Sequence, residues 1–498
     1  MSYLPDHPEA RTDIERIREA FVAADYTTDG VSDLLGPVAE AALARHETVP
    51  ARRVARADGS ALAALVRLFL LQDTLPEAQA PLPVGAAIRL GLLESSAGEL
   101  RARLDARPHD DAFLVVSDLG TGLDGNVRPV GADHVLGVGG ASVSLAELTV
   151  RHPVGRALDL GTGCGVQALH LTRHARHVLA TDVLPRALQL AALGAALSGV
   201  EVELRAGGLF DPVAGEKFDL IVSNPPFVIG AGEARRTYRD GGLVGDELGR
   251  RLVAAAPGHL NPGGWCQLLA NWVHRPGEDW RDRVGAWLPA DCDGWALQRE
   301  VLDPAAYVSL WLHDAGDIAS RNYLDRYDAW LSALEADDVE GIGFGWITLR
   351  RTEGPGIHRV EDWPHSVDAP LGPHVAEAFE RMAWLGAQDD AALLAARLCV
   401  ADDVSQELIG EPGAEDPRHV VLRQSSGLRR ARTVDTAAAA LVGACTGEAP
   451  AGILIDAVAT LLDEESAEVR ARLLPLVHDL VAEGYLLAAD ALPTVGIR

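Results

Sequence analysis

The chain has 498 residues, enough for more than one domain, and 48% of them are hydrophobic, which supports large cores. Its formal net charge of −28 favours solubility and repels polyanions at long range, which counts against a general DNA or RNA binder with a basic face. No apolar run of about 18 residues marks a membrane span, the N-terminus lacks the apolar core of a secretory signal, and five scattered cysteines with no C-x-x-C pair point to reduced thiols in a cytoplasmic setting and to no structural metal.

Residues 1–125 read as mainly helical. Leu62, Leu65, Val66 and Phe69 fall on one stripe of a helix over 61–71. A second helix is expected over 84–93 and a strand over 112–116. Short helices followed by strands are consistent with a winged-helix-like domain. Arg52, Arg53 and Arg56 form its densest positive cluster and read as a solvated helix face. A glycine-rich connector, Gly137 to Ser142, then leads into a helix over 145–149.

The next stretch carries chemistry. Ala157-Leu158-Asp159-Leu160 is an apolar strand running into Gly161-Thr162-Gly163-Cys164-Gly165 and then a helical pattern. Glycines allow a tight turn and close approach to a ligand, and the helix start aims free N–H groups at an anion. Cys164 needs only to be small there and does not read as a nucleophile. His177 to Asp182 reads as a second strand ending in an acid, a placement that commonly binds two ribose hydroxyls. After Gly207-Gly208-Leu209-Phe210-Asp211 comes the apolar strand Phe218 to Ser223, which stops at Asn224-Pro225-Pro226-Phe227. Two prolines cannot continue a sheet ladder, so the backbone turns. The turn leaves the Asn224 oxygen and the Pro225 carbonyl as acceptors suited to an –NH2 group, with Phe227 as a flat face for stacking.

Farther on, residues 266–270 read as a strand, with Asn271 and Trp272 after it at the site edge or in loop packing, and 344–349 as a late strand. The alternation implies a mostly parallel sheet with helices on both faces. From about residue 370 the pattern is helical, with helices over 436–445, 453–462 and 467–483 and a strand or wing at 484–487. Arg418, Arg423, Arg429, Arg430 and Arg432 make the strongest basic cluster, which in so acidic a chain is expected to pair with its own carboxylates.

Together these segments resemble the class I S-adenosylmethionine methyltransferases, over about residues 130–350 and in the family's order. Asp159 to Gly165 match the first motif, Asp182 the acidic second, Gly207 to Phe210 the third, and Ser223 to Phe227 the N-P-P-[FY] signature. Tyr238 to Gly242 and Leu260 to Gly264 extend the likeness. The signature is shared by glutamine N5-, adenine N6- and guanine N2-methyltransferases, so it specifies a planar nitrogen acceptor better than a substrate. The resemblance implies a Rossmann-like doubly wound sheet over 126–355, flanked by mainly helical, winged-helix-like domains at 1–125 and 356–498. It implies S-adenosylmethionine held by Asp159, Gly161, Thr162, Gly163, Gly165, Asp182, Gly208, Leu209 and Asn224. Asp159 is expected near the methionine amino group and Gly161 to Gly165 around the carboxylate. Asn224, Pro225 and Phe227 would grip the acceptor, and Asp240 is a candidate proton acceptor. One departure stands out: Gly208 replaces the Asp or Asn that often holds the adenine amino group, leaving backbone groups of Gly208 and Leu209, or Asp211, for that task. The expected function is methyl transfer to a protein glutamine, a nucleobase amino group or a small-molecule amine. The alternatives are a binding module with a silent methyltransferase scaffold and a dinucleotide-dependent oxidoreductase, in which N-P-P-F has no role.

Overall fold

The computed structural model describes residues 3, 9–110, 113–120, 123–125, 131, 133–226, 228–230, 246–314, 321–411 and 417–490. They fall into two compact units, Met1–Ala146 with His152–Trp363, and Glu147–Arg151 with Pro364–Arg498.

The first unit is organised by an eight-stranded sheet. Its strands in chain order are β1 (Val154–Leu160), β2 (Ala175–Asp182), β3 (Glu203–Ala206), β4 (Phe218–Ser223), β5 (Leu260–His274), β6 (Cys292–Leu302), β7 (Gly341–Arg351) and β8 (His358–Asp362). They lie side by side in the order β8-β6-β7-β5-β4-β1-β2-β3. From β3 through β5 every pairing is parallel. Only β7 runs against its neighbours β5 and β6. The central strands are apolar runs because both faces are covered: Leu158, Leu220, Ile221 and Val222 are fully buried. Helix α1 (Gly140–Leu148) precedes β1, α2 (Val166–Leu171) follows it, and α3 (Pro185–Ser198) follows β2. From β1 the chain steps outward to β2 and β3, then returns to place β4 on the other side of β1. That reversal between β1 and β4 opens a crevice at their carboxyl ends.

The strand expected at 266–270 is much longer. β5 runs to His274, so Asn271 and Trp272 are sheet residues, both buried. Trp272 does not face the site edge. It fills a slot left by β7 glycines: a Cβ on Gly343 would come within 2.4 Å of its Nε1, and one on Gly345 within 2.3 Å of its ring. The indole stacks on Trp280 at 5.6 Å and donates to Gln298 Oε1 at 2.8 Å. Trp272→Phe is expected to lose that bond and about 1–3 kcal/mol of stability, read as a lower urea midpoint at unchanged slope by circular dichroism.

The N-terminal segment supplies helices Ala10–Ala23, Thr28–Leu43, Val49–Asp58 and Ala61–Leu65, the last continuing as a wider turn over Val66–Leu70. A three-stranded antiparallel sheet follows, with Glu99–Ala102 between Leu75–Pro76 and Leu93–Ser96. Its core is continuous with the sheet domain: Ile17, Phe21 and Phe69 share one apolar cluster with Leu190, Leu193 and Leu197 of α3. Arg53 and Arg56 are exposed, whereas Arg52 is half-buried between Asp73 (2.8 Å) and Asp124 (2.7 Å) rather than on a plain solvated face.

In the second unit the helices are Gly372–Gly386, Asp390–Ala395, Thr436–Ala444, Ala451–Leu462 and Ser466–Ala482, with a final strand at Leu486–Ala488. Between them sits an antiparallel sheet of Val404–Ile409, His419–Gln424 and Ala431–Val434, which the helical pattern did not announce. Arg423 pairs with Glu407 at 2.7 Å, and Arg432 with Glu483 at 2.9 Å and Asp479 at 3.2 Å. Arg430 is buried, while Arg418 and Arg429 are exposed. Among the described residues no helix is long and apolar enough to cross a membrane, and no cluster of His, Cys, Asp or Glu is arranged to hold a metal.

Candidate active site

Four strand ends converge on the crevice. Leu160 and Ser223 are paired in register, and the Ser223 hydroxyl donates to the Leu160 carbonyl at 2.8 Å. The residues that follow, Gly161 and Asn224, therefore leave neighbouring strands at the same level. On the other side Leu160 pairs with Thr181 and Asp182 with Ala206. The loops after β1, β2, β3 and β4 thus lie along one sheet edge.

The first loop is built on left-handed backbone. Gly161, Gly163 and Gly165 have φ of +77°, +55° and +85°, a region costly for residues with a Cβ. The N–H groups of Gly161 and Thr162 both donate to the Thr181 carbonyl, at 2.9 and 2.8 Å. Gly165 also packs so close to α3 that a Cβ would sit 3.0 Å from that of Ala191. A Cβ on Gly161 or Gly163 would meet no protein atom within 4 Å, so the loop's outer side faces open space. That open cradle fits a ligand approaching the backbone closely.

Asp159 is buried beneath the loop, 1% exposed. Its Oδ2 accepts the Thr162 hydroxyl at 2.6 Å and the Ala168 N–H at 3.0 Å. Among the described residues both of these bonds fall on Oδ2. Burial pushes the carboxyl up to about 7, opposed by those two bonds. Asp182 ties two loops together: Oδ2 accepts the Gly163 N–H and Oδ1 the Leu184 N–H, each at 2.9 Å. Burial raises its pKa as well, against the backbone donors that favour the anion. An ionised carboxylate has about four lone-pair sites, so these two bonds leave room for hydroxyl donors. Cys164, in the same loop, is held as a thiol by burial, its pKa pushed up to about 11.

The third loop docks on the second through the Gly207 N–H, which donates to the Asp182 carbonyl at 3.0 Å. Gly207 has φ of +148°, and a Cβ there would strike Pro212 at 2.5 Å. Gly208 carries no side chain, and Leu209 stands at φ +49° and is 40% exposed. Asp211 is exposed and donates its N–H to the Gly208 carbonyl at 3.2 Å.

At the fourth loop Asn224 is half-buried and Pro225 buried. Asn224 Nδ2 lies 3.5 Å from the Ser142 hydroxyl on α1, and Gln167 Nε2 donates to the Ser142 carbonyl at 2.7 Å. The helix expected at 145–149 begins at Gly140 instead, which brings this part of the connector beside the corner. Phe227, Asp240 and the stretch from Tyr238 to Gly242 lie outside the described residues.

Sequence reasoning missed what lies beyond the corner. β6 is antiparallel to β7, and β7 to β5, so two reversals bring the end of β6 to the same edge as the ends of β1 and β4. The helices that follow it are α4 (Pro304–Asp314) and α5 (Tyr323–Ala336), and they reach Ile229 through Tyr307 and Trp330. A compositional signal was available: Tyr307, Trp311, Tyr323, Tyr327 and Trp330 fall close together in a chain only 5% aromatic.

Comparison with known proteins agrees with this geometry. The family model described as methyltransferase small domain matches residues 138–278, and two domains of unknown function, DUF7059 and DUF7782, match residues 23–103 and 376–488. A release factor glutamine methyltransferase of Geobacter sulfurreducens is 41% identical over 123 residues, covering 22% of this chain and 43% of its own. A ribosomal RNA small subunit methyltransferase C of Alcanivorax borkumensis is 35% identical over 117 residues, covering 24% and 32%. The chain thus spans less than half the length of these two relatives. A ribosomal protein L11 methylase structure from Lactobacillus delbrueckii subsp. bulgaricus aligns with 27% of the chain and 62% of its own, at 25% identity and a TM-score of 0.21. With the first and last of its four loops side by side, the segment 138–278 is a methyltransferase domain similar to the class I S-adenosylmethionine-dependent N-methyltransferases.

Proposed function

We propose that the whole protein is an N-methyltransferase, moving a methyl group from S-adenosylmethionine to a planar amide or amino nitrogen. The observation that carries this reading is the adjacency of Gly161 and Asn224 beyond the paired residues Leu160 and Ser223. A donor cradled on the first loop and an amine held at the fourth would be within one strand spacing, about 4.8 Å.

Bound S-adenosylmethionine supplies a methyl already activated by a sulfonium charge. In this reading Asp182 accepts its ribose hydroxyls, Thr162 and the glycines of the first loop follow its methionine end, and Asp159 faces its amino group through Oδ1. Gly208 and Leu209 border the base, with the exposed Leu209 side chain offering apolar surface in place of an Asp or Asn. On the acceptor side, the Asn224 amide oxygen and the Pro225 carbonyl accept the N–H groups of the incoming nitrogen. Phe227 sets the plane of the acceptor. An amide or aniline-like lone pair is spread into a π system, so the enzyme's task is alignment, worth about 7–11 kcal/mol. The acceptor bonds also steady the positive charge that grows on nitrogen.

Among the acceptors, a protein glutamine or a nucleobase is favoured, because the relatives named above are a release factor glutamine methyltransferase and a ribosomal RNA methyltransferase. We read residues 1–125, 126–355 and 356–498 as three domains, with the outer two recognising a macromolecular substrate in the cytoplasm. The order helix, strand, helix and two-stranded wing over residues 61–102 supports a winged-helix-like N-terminal domain. Incubating the protein with tritiated S-adenosylmethionine and fractionated lysate is expected to label protein or RNA. Label confined to small metabolites would overturn the macromolecular acceptor, and tight NAD binding without S-adenosylmethionine binding would overturn the methyltransferase reading.

A further inference from the structure

Ile229 lies five residues beyond Asn224, in the segment that carries the acceptor corner, and side chains hold both of its backbone groups. Its N–H donates to the Tyr307 hydroxyl at 2.7 Å, and its carbonyl accepts the Trp330 Nε1–H at 3.0 Å. Tyr307 comes from α4 and Trp330 from α5, the two helices inserted between β6 and β7. The hold is rigid for two reasons. Tyr307 is fully buried, packed edge-on against Trp330 at 6.2 Å and beside Phe344 at 5.8 Å. Ile229 itself is 5% exposed, in one apolar cluster with Tyr307, Val308, Leu312 and Leu334.

The reason for borrowing side chains is in the sequence. Pro225 and Pro226 have no N–H, so the corner cannot be tied down through its own donors there. Their rings also fix φ at two positions, which shortens the lever between Ile229 and Asn224. Anchoring Ile229 at donor and acceptor therefore limits where the Asn224 and Pro225 oxygens can point. The phenol remains a neutral hydroxyl at working pH, because burial raises its pKa well above the ordinary value.

We propose that Tyr307 and Trp330 are positioning residues for methyl transfer, acting through the backbone of Ile229 on the acceptor corner. The proposal rests on the N-methyltransferase reading above. Tyr307→Phe removes one oxygen and keeps the ring; Trp330→Phe removes the indole N–H and is the second variant. Both are to be assayed with tritiated S-adenosylmethionine and whichever lysate fraction the wild type labels, alongside calorimetric S-adenosylmethionine affinity, melting temperature and hydrogen exchange of the Ile229 amide in isoleucine-labelled protein. The expected result for Tyr307→Phe is Ile229 exchange about tenfold faster or more, turnover down about 10- to 100-fold, donor affinity near wild type, and a melting temperature lower by no more than a few degrees. Trp330→Phe should lower turnover in the same way. Wild-type turnover in both variants, or a slow Ile229 amide in Tyr307→Phe, overturns the proposal alone. A loss of donor affinity or melting temperature that parallels the loss of turnover also overturns it, by making the contact merely structural. A wild type that labels no fraction overturns the transfer reading and this proposal with it.

Discussion

Asn224→Ala is expected to lower turnover about 10²- to 10³-fold, equivalent to about 2.7–4 kcal/mol, while affinity for S-adenosylmethionine stays within about threefold of wild type. The asymmetry follows from where Asn224 stands. In the proposed reading the donor lies on the loop after β1, whose ties to Asp182 and Thr181 do not use the Asn224 side chain. The side chain belongs to the neighbouring strand end, with Nδ2 toward Ser142 and the amide oxygen left for the acceptor. Truncation removes an acceptor whose interaction strengthens as charge grows on nitrogen, so kcat falls more than binding. Asn224→Asp keeps an oxygen at the position and is expected to retain more turnover than alanine. Calorimetry and initial rates on the same preparations decide the matter: both near wild type would reduce Asn224 to a turn-capping residue.

Affinity for S-adenosylmethionine is expected to rise with pH through about 7, by up to about tenfold per unit below that point, and Asp159→Asn is expected to flatten the profile. The free protein holds the Asp159 carboxyl at about 7 by burial. A cationic amino group at Oδ1 favours the anion, so binding expels a proton wherever the free carboxyl is protonated. The same group leaves a mark on folding. Its unfolded pKa is about 3.9 and its folded value is higher, so between about 4 and 7 the folded state keeps a proton that the unfolded chain has released. The stability contributed by this group is complete below about pH 4 and is lost as pH rises through about 7. Asp159→Asn keeps an oxygen to accept from Thr162 and Ala168 but cannot ionise, so both slopes should vanish together. Titrations from pH 5 to 8 by calorimetry, with urea melts at each pH, check the prediction; an affinity independent of pH in the wild type would place the amino group elsewhere.

The two predictions share a physical basis with the parts of this protein that could be read in one dimension. A strand that ends at glycines, an acid at the next strand end and a strand stopped by two prolines are local facts. Backbone freedom at Gly161 to Gly165 and the missing N–H groups of Pro225 and Pro226 act within a few residues of where they are written. The sheet's general class follows from the same local alternation.

The remainder depended on which distant segments meet. Trp272 looked like a residue beyond a short strand because nothing near it reveals Gly343 and Gly345, whose missing side chains make its slot from a strand far along the chain. The arginines near residue 430 find their carboxylates on Glu407 and on Asp479 and Glu483, on either side of them in sequence. The N-terminal helices share a core with α3, which no periodicity in either segment foretells. Tyr307 and Trp330 reach Ile229 only because β7 inserts between β5 and β6 and brings the end of β6 to the edge where β1 and β4 end. By itself, then, the sequence determined the chemistry of each strand end, since turn and cap preferences are set by neighbouring residues; strand order and register, which are set by packing between segments far apart, decided which of those ends face one another and what holds them still.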